Sequence, residues 1–558
     1  MSESKADYIR NWRSEHASVE SPPTEYSAPG TERNLKSRIA AWLPALYLPL
    51  MILVCIAYAW RPLGGGDDIW AHAAVGRWMW GHMEVPRQTL FLWGTPPVPW
   101  IAQQWLSQLL FYFLLQSGGP FFAVLFTVAM VTLTFLLLWR LWLRHAPINV
   151  FTPLLFAVGI YAGSLRFRPR PELFTAFFLV ITIAYLAAWS QKRIEAWQDA
   201  PRSPQFLDGA TFVLLFMFAL WANLHGAVAM GVLVVLLTAF CDVVQDRFDA
   251  RSRSLLCIAA LCVLATFINP NGIGLWNEIL RPAGSETFKN IDEWKPPLQA
   301  RVLWSYAFGE LVLVLAALAV WRLNPQRRWS QAAWLLVMTL MFLRYRRHLW
   351  LFALVSLAVL AINARYINTE RMWDWWRKIT RQPRIALPQP FRIIARSSVV
   401  LCLVLWIALA TPSNIWPLRA TTKNLPEGAA RFVEAKKLRG RLFNDYENSS
   451  YLQWRLNGPL QSGPNRGRVL ARGRRPLYID LLNAYPDTLL KDYLSIMDSD
   501  ATGRAHFEKL DLGYVVLGSE KRKNKLAKYL NRNPQWARVY DAKDGVVWVR
   551  RAVNPSVR

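Results

Sequence analysis

The sequence predicts an all-α polytopic membrane protein of about eleven transmembrane helices, followed by a C-terminal α/β domain. Two observations carry this. The apolar residues, 53% of 558, are bunched: Ile39–Trp60 is 22 residues without a charge, and Ile101–Trp139 has none. At about 1.5 Å per residue either stretch crosses a hydrocarbon core of roughly 30 Å. The formal charge of +28 sits mostly between the apolar runs, as in loops facing anionic cytoplasmic lipid, so it implies a bilayer and not a nucleic-acid partner.

The first element is a polar tail, residues 1–38, with Lys5, Arg10, Arg13, Arg33, Lys36 and Arg38. It is too long and polar for a signal-peptide n-region, so the first apolar run reads as an uncleaved helix despite the cleavage-like Ala57-Tyr58-Ala59. Apolar runs then fall near 39–60, 120–139, 149–165, 173–190, 209–224, 226–241, 254–269, 303–321, 329–343, 349–364 and 396–413. Residues 101–117 read as a separate interfacial helix, broken from the next span by Gly118-Gly119-Pro120. The membrane domain is thus expected over 39–413, with a first outer loop at 61–104. All five cysteines lie within or at the ends of apolar runs, where they behave as small hydrophobes and imply no disulfide framework.

With the basic amino terminus inside, the loops assigned to the cytoplasm carry the positive charge: 140–144, 192–202, 247–253, 322–328, and 365–392 with seven Lys or Arg. Residues 414–558 then lie outside the cytoplasm. Strand-like pieces there (440–444, 476–480, 514–518 and 546–550) alternate with helix-like stretches such as Lys521–Asn531. The basic stretch Arg466–Arg475 reads as a solvated loop.

The same topology puts the unusual polar stretches on one face. They are Asp67-Asp68-Ile-Trp70-Ala-His72, Arg166-Phe-Arg168-Pro-Arg170-Pro-Glu172, Trp221-Ala-Asn223-Leu-His225-Gly226, Asn269-Pro-Asn271-Gly272, Asp292-Glu293-Trp294 and Arg344-Tyr-Arg346-Arg347-His348. The arginines at 166–170 and 344–347 sit where few cations are expected. Pairing with Glu172, Asp292 or Glu293 is one account of them; a phosphate-bearing lipid, suited to the planar guanidinium fork, is the other.

Asp68, His72 and Gly76 are spaced i, i+4, i+8 and share one face of a helix, the glycine permitting close approach of a neighbour. Capping by Asp68 is the simpler alternative. A base that deprotonates a hydroxyl must be a carboxylate or histidine near a donor whose leaving group is met by cations, and Asp68 with the arginines can supply both. Trp70, Trp78, Trp80 and Trp100 offer sugar-stacking faces or interfacial anchors. Glu310 lies inside the 303–321 run, where an ionisable residue is functional by default.

These residues resemble the GT-C superfamily of integral-membrane glycosyltransferases, and within it a bacterial group with an Asp-x-Trp-x-His first outer loop. The matching residues are Asp68-x-Trp70-x-His72-x-x-x-Gly76-Arg77, Pro86, Trp100-x-x-x-x-Trp105-Leu106, Arg168-Pro-Arg170-Pro171, Trp221-x-Asn223-x-His225-Gly226, Asn269-Pro-x-Gly272 and Glu293-Trp294. The resemblance implies sugar transfer, with inversion, from a polyprenyl-phosphate carrier to an extracytoplasmic acceptor (glycan, lipid or protein) at the bacterial inner membrane. It implies Asp68 as the base, with Asp67 as alternative. Arg168, Arg170, Arg344, Arg346 and Arg347 would hold the donor phosphate, and His72, Trp70, Asn223, His225 and Glu293 would line the site. A divalent cation, Mg or Mn, would fall to Asp68 and Glu293, since hard cations take oxygen ligands. The group often carries glutamine at the position of Glu172, which marks that carboxylate as an ion-pair partner for the arginines. Rival readings are a lipid-linked glycan ligase or polymerase, which differs mainly in donor size, and a secondary transporter or flippase, which should show an internal repeat.

Overall fold

The computed structural model describes residues 42–196, 208–281, 291–299, 304–367, 389–410, 421–458 and 475–557. The tail 1–38, most of the basic loops 192–202 and 365–392, and Arg466, Arg468, Arg472 and Arg474 lie outside the described residues.

Within the described residues every apolar run contains a helix. In chain order these are α1 (Tyr47–Ala59), then α2 (Ile69–His82) in the first loop, α3 (Trp105–His145), α4 (Phe151–Gly163), α5 (Glu172–Ala196), α6 (Gly209–Leu224), α7 (Val228–Asp246) and α8 (Ala250–Ala265). A short α9 (Gly274–Leu280) precedes α10 (Trp304–Leu323), α11 (Trp329–Arg344), α12 (Leu349–Ile362) and α13 (Gln389–Ala410). Among the described residues α3, α5, α7, α10 and α13 are each long and apolar enough to cross a bilayer. The six remaining runs give helices of 13–16 residues, and 3-10 turns at Leu43–Leu46, Ser164–Arg166 and Ala364–Tyr366 lengthen α1, α4 and α12. The chain is a multi-pass membrane protein. All five cysteines are free.

Helix α12 is buried along its whole length and packs against α3, α4, α5, α10 and α11. A helix apolar on every side belongs at the centre of a bundle, and α12 is that centre. The 41 residues of α3 would reach about 60 Å if straight, twice a hydrocarbon core. The chain breaks where the sequence predicts: Gly119 leaves the helical region (φ 60°, ψ −153°) just before Pro120. The half before the break is a distinct arm that packs along α2.

The C-terminal unit contains α14 (Glu427–Ala435), β1 (Arg441–Asn444), α15 (Ser449–Leu456), α16 (Asp487–Asp498), α17 (Ala501–Lys509), β2 (Leu512–Leu517), α18 (Lys525–Arg532), β3 (Trp536–Ala542) and β4 (Gly545–Arg550). The sheet order is β1-β2-β4-β3, with β1 parallel to β2 and the other pairs antiparallel. Asn524 caps α18, its side chain accepting from Ala527 N at 2.7 Å. The strand expected at 476–480 is corrected: it does not join the sheet. Leu477 instead pairs with the first loop, donating to Phe91 O at 2.7 Å and accepting from Trp93 N at 2.9 Å. Asn444 takes up the neighbouring backbone, Tyr478 N and Ile479 O, through its side chain. Strand β3, half polar and only partly buried, lies at the sheet edge and gave no clear alternation in the sequence.

The first loop is held between the membrane helices and the C-terminal unit. Trp93 Nε1 donates to Leu442 O at 2.7 Å, and Arg77 donates to Trp454 O at 2.7 Å while its guanidinium lies 4.1 Å from the Trp454 ring centre. On the other side Gly76 meets α3, where a Cβ would stand 2.1 Å from Gln108 O. Overpacking of this kind costs about 1–3 kcal/mol. Gly76→Ala is therefore expected to lower the unfolding midpoint of the detergent-purified protein, whereas Gly119→Ala, whose Cβ meets nothing within 4 Å, suffers only from its left-handed φ.

Candidate active site

Ends of α4, α5, α6, α7, α9, α11 and α12 converge with the first loop and the C-terminal unit on one half-open cavity of about 920 Å³. Asp68 and His72 enter it from the start of α2; Arg166, Arg170 and Glu172 from the α4–α5 link; His225 from the α6–α7 link; Glu293 and Trp294 from the 292–294 turn; Arg347 and His348 from the α11–α12 link; Tyr446 and Asn483 from the C-terminal unit.

Local chemistry sets each of these. Asp68 is the N-cap residue of α2, yet its side chain makes no cap bond; it turns away to pair with Arg170 (Nε–Oδ2 2.9 Å). Arg170 stands between Pro169 and Pro171, which keep its backbone out of a helix. Its guanidinium also meets Glu293 (Nη1–Oε1 2.6 Å). Glu293 in turn pairs with Arg166 (2.8 Å), and Arg166 Nε donates to Glu172 at 2.9 Å. The result is an alternating row of charges, Asp68–Arg170–Glu293–Arg166–Glu172. The turn bearing Glu293 is drawn to the arginines of the α11–α12 link by Arg346 N, which donates to Lys295 O at 3.1 Å. This leaves Arg347 over the Trp294 ring at 4.2 Å, with no carboxylate within ion-pair distance among the described residues.

The electrostatics separate the groups. Burial raises the Asp68 carboxyl above its usual range, with Arg170 opposing. Glu293 also suffers burial, but Arg166 and Arg170 hold it well below the ordinary value. The histidines are neutral: burial lowers His72 to about 3, His225 to about 4 and His348 to about 3. His225 Nδ1 is 2.7 Å from Thr175 Oγ1, which also accepts from Trp221 Nε1. Of the carboxylates lining the cavity, burial raises Asp68 and Glu278, and Asp68 is the one that joins the row of arginines.

Other residues singled out in the sequence stand elsewhere. Asp67 closes a turn by accepting from Gly64 N at 2.6 Å. Arg168 donates to Pro62 O at 3.1 Å and lies 3.6 Å from Asp67. Trp70 is buried and donates to Gly64 O, and Asn223 ties α6 to Trp105 and Ile268 O. Arg344 lies over Tyr345 and outside the cavity lining, as does Arg346. Of the tryptophans discussed, Trp100 lines the cavity; Trp78 stacks on His82 and Trp80 is half exposed against Phe113. Glu310 is wholly buried within the bundle, away from the cavity lining. Sequence reasoning left Tyr446, Asn483 and His348 unassigned. Tyr446 Oη donates to Asn483 Oδ1 at 2.8 Å, a contact between segments for which the sequence holds no motif.

The donor set does not fit a divalent ion bridging Asp68 and Glu293. Arg170 bonds both carboxylates and takes the place such an ion would occupy. Among the described residues no group of three or more His, Cys, Asp or Glu could hold a metal ion, so a cation here would rest on these two carboxylates and water, and it would have to displace Arg170 from both.

Neither a protein-family model nor a curated protein matches the sequence. Solved structures do. The archaeal oligosaccharyltransferase AglB from Archaeoglobus fulgidus, in complex with an inhibitory peptide and a dolichol-phosphate, superposes with a TM-score of 0.58 at 11% identity, covering 88% of this chain and 71% of AglB. ArnT from Cupriavidus metallidurans bound to undecaprenyl phosphate superposes with a TM-score of 0.50 at 11% identity, covering 91% of this chain and 97% of ArnT. Likeness at this identity is likeness of fold, and with the motif order above it gives one conclusion: the chain has the fold of the GT-C integral-membrane glycosyltransferases.

Proposed function

We propose that this protein is a GT-C glycosyltransferase that moves a sugar from a polyprenyl-phosphate donor to an acceptor hydroxyl on the extracytoplasmic side of a bacterial inner membrane, with inversion. The observation that carries the reading is one half-open cavity holding both Asp68, a carboxylate of raised proton affinity, and Arg347, a guanidinium with no carboxylate at ion-pair distance among the described residues. The dolichol-phosphate in AglB and the undecaprenyl phosphate in ArnT are the class of ligand this pairing suits. Sidedness rests on the basic loops at the opposite helix ends.

In this mechanism the acceptor hydroxyl donates a hydrogen bond to Asp68. Its oxygen attacks the anomeric carbon from the face opposite the phosphate, the carbon–oxygen bond to phosphate breaks, and the hydroxyl proton passes to Asp68. The departing phosphate keeps the bonding electrons, and Arg347, backed by Arg166 and Arg170, meets the new charge in a site of low dielectric. Arg170 keeps Asp68 ionised enough to act despite burial. The neutral histidines line the sugar without competing for the proton.

Three outcomes are expected. In membranes supplied with radiolabelled polyprenyl-phosphate sugars, Asp68→Asn lowers turnover by about 10²–10⁴-fold, the usual worth of a positioned base, with donor affinity little changed. Arg347→Ala raises the donor KM by roughly 10- to 100-fold, the loss of one charge-assisted bond, while Arg344→Ala changes it far less. The rate falls as pH drops through a single limb above the usual Asp value of about 3.9, because the base works only when deprotonated. A second limb near pH 6–7 would instead implicate a histidine.

A further inference from the structure

Gly64-Gly65-Gly66, directly before the two aspartates, has no part in the chemistry above. None of the three has a left-handed φ, so backbone conformation does not call for glycine. Proximity does. A Cβ on Gly66 would stand 2.5 Å from the Glu447 carbonyl oxygen, and one on Gly65 would stand 2.3 Å from Asn448 Oδ1 and 3.0 Å from Pro426 Cδ. On Gly64 the nearest atoms would be 3.7 Å away, an ordinary contact. Both tight positions face the same turn of the C-terminal unit.

That turn is held firmly. Buried Asp445 accepts from Asn448 N at 2.8 Å, from Asn448 Nδ2 at 3.2 Å and from Gly518 N, which ties the turn to the end of β2. From it Tyr451 N donates to Gly65 O at 3.1 Å, and the Tyr451 ring meets Trp70 edge-on at 5.0 Å. Just upstream, Leu63 N donates to Thr421 O at 2.9 Å and Lys423 N to Leu63 O at 2.8 Å. Asp67, the one residue between Gly66 and Asp68, folds its carboxylate back onto Gly64 N, which leaves the segment little slack. The backbone before Asp68 therefore rests on the C-terminal unit, while its side chain is held by Arg170 of the membrane bundle.

We propose that the 445–451 turn is the template on which the Asp68 loop is set, with Asn448 and the Glu447 carbonyl as positioning groups, so that the C-terminal unit acts in proton removal through Asp68. This rests on the reading of Asp68 as the base. It gives the unit a task and assigns a reason to the glycine run.

The test is a graded series in the full-length protein: Gly64→Ala, Gly65→Ala, Gly66→Ala, Asn448→Ala, and Gly65→Ala with Asn448→Ala. Turnover is read with the radiolabelled polyprenyl-phosphate sugars, and binding of undecaprenyl phosphate alone reports on the membrane half of the cavity. A misplacement of about 1 Å costs on the order of 10²-fold in rate, so Gly66→Ala, opposed by backbone, should lose about that in kcat. Gly65→Ala should lose about tenfold, recovered in part by Asn448→Ala, because a side chain opposes it and its removal makes room. Gly64→Ala should stay within about twofold of wild type, and undecaprenyl phosphate affinity should hold throughout. Wild-type kcat in Gly66→Ala, or a double variant no better than Gly65→Ala alone, overturns the template. So does a loss of undecaprenyl phosphate binding that parallels the loss of rate, since that would mark general unfolding. Turnover surviving in Asp68→Asn instead overturns the base assignment itself, whatever the glycine series shows.

Discussion

The Arg170 guanidinium, shared between Asp68 and Glu293, is the interaction on which the arrangement of the site depends. It joins three chain segments at a single group: the first loop, the α4–α5 link and the 292–294 turn. A buried charge is tolerable only when it is paired and hydrogen-bonded, and removing one partner of such a pair costs about 3–5 kcal/mol because the other is left exposed to a low dielectric. Each ion in the row Asp68–Arg170–Glu293–Arg166–Glu172 meets its neighbour, so no member can move alone. Rigidity at the site is thus a by-product of burying charge.

Membrane physics explains why this row lies at helix ends. Within lipid every backbone group must be satisfied inside a helix, so turns that aim side chains inward form only beyond the spans or within protein. The α4–α5 link, the 292–294 turn and the 346–348 turn are such places, and each contributes an ion to the cavity. Helix α12, apolar and fully buried, fills the bundle beneath and carries Arg347 and His348 on the turn at its start.

Much of the fold was legible in the sequence because the bilayer imposes a length on apolar runs, and a length survives without knowledge of partners. The break at Gly118-Gly119-Pro120 was legible for the same kind of reason, local backbone chemistry. Which arginine faces the cavity was not. Arg166, Arg168 and Arg170 alternate along one link, but Arg168 turns to the Pro62 carbonyl and Arg166 inward, a choice made by neighbours more than a hundred residues away. The same applies to Asn223 and Trp105, whose bond spans 118 positions and makes the asparagine a strut, while His225 of the same motif lines the cavity. Residues 476–480 read as a strand because their pattern is strand-like; their hydrogen bonds went to Leu92's segment, which no local pattern reveals.

The charge balance of the cavity bears on how proton and phosphate are coupled. Glu278, Asp292, Glu447, Arg281 and Lys521 also line the cavity, but in the local set around Asp68 three carboxylates, Asp68, Glu172 and Glu293, face three guanidiniums, Arg166, Arg170 and Arg347, so this set is neutral with Asp68 ionised. In the proposed reaction Asp68 takes a proton, two carboxylates of this set remain against three guanidiniums, and the excess positive charge appears as the departing phosphate gains negative charge. At low effective dielectric two such opposite changes within one cavity stabilise each other more than they would in water. Arg170 touches the carboxylate that is neutralised, and the freed attraction is available to the anion. On the proposed mechanism, a base joined to the cations that would meet the phosphate makes proton removal and leaving-group departure mutually reinforcing, which is a physical reason for Asp68 to be paired with an arginine and not merely placed near one.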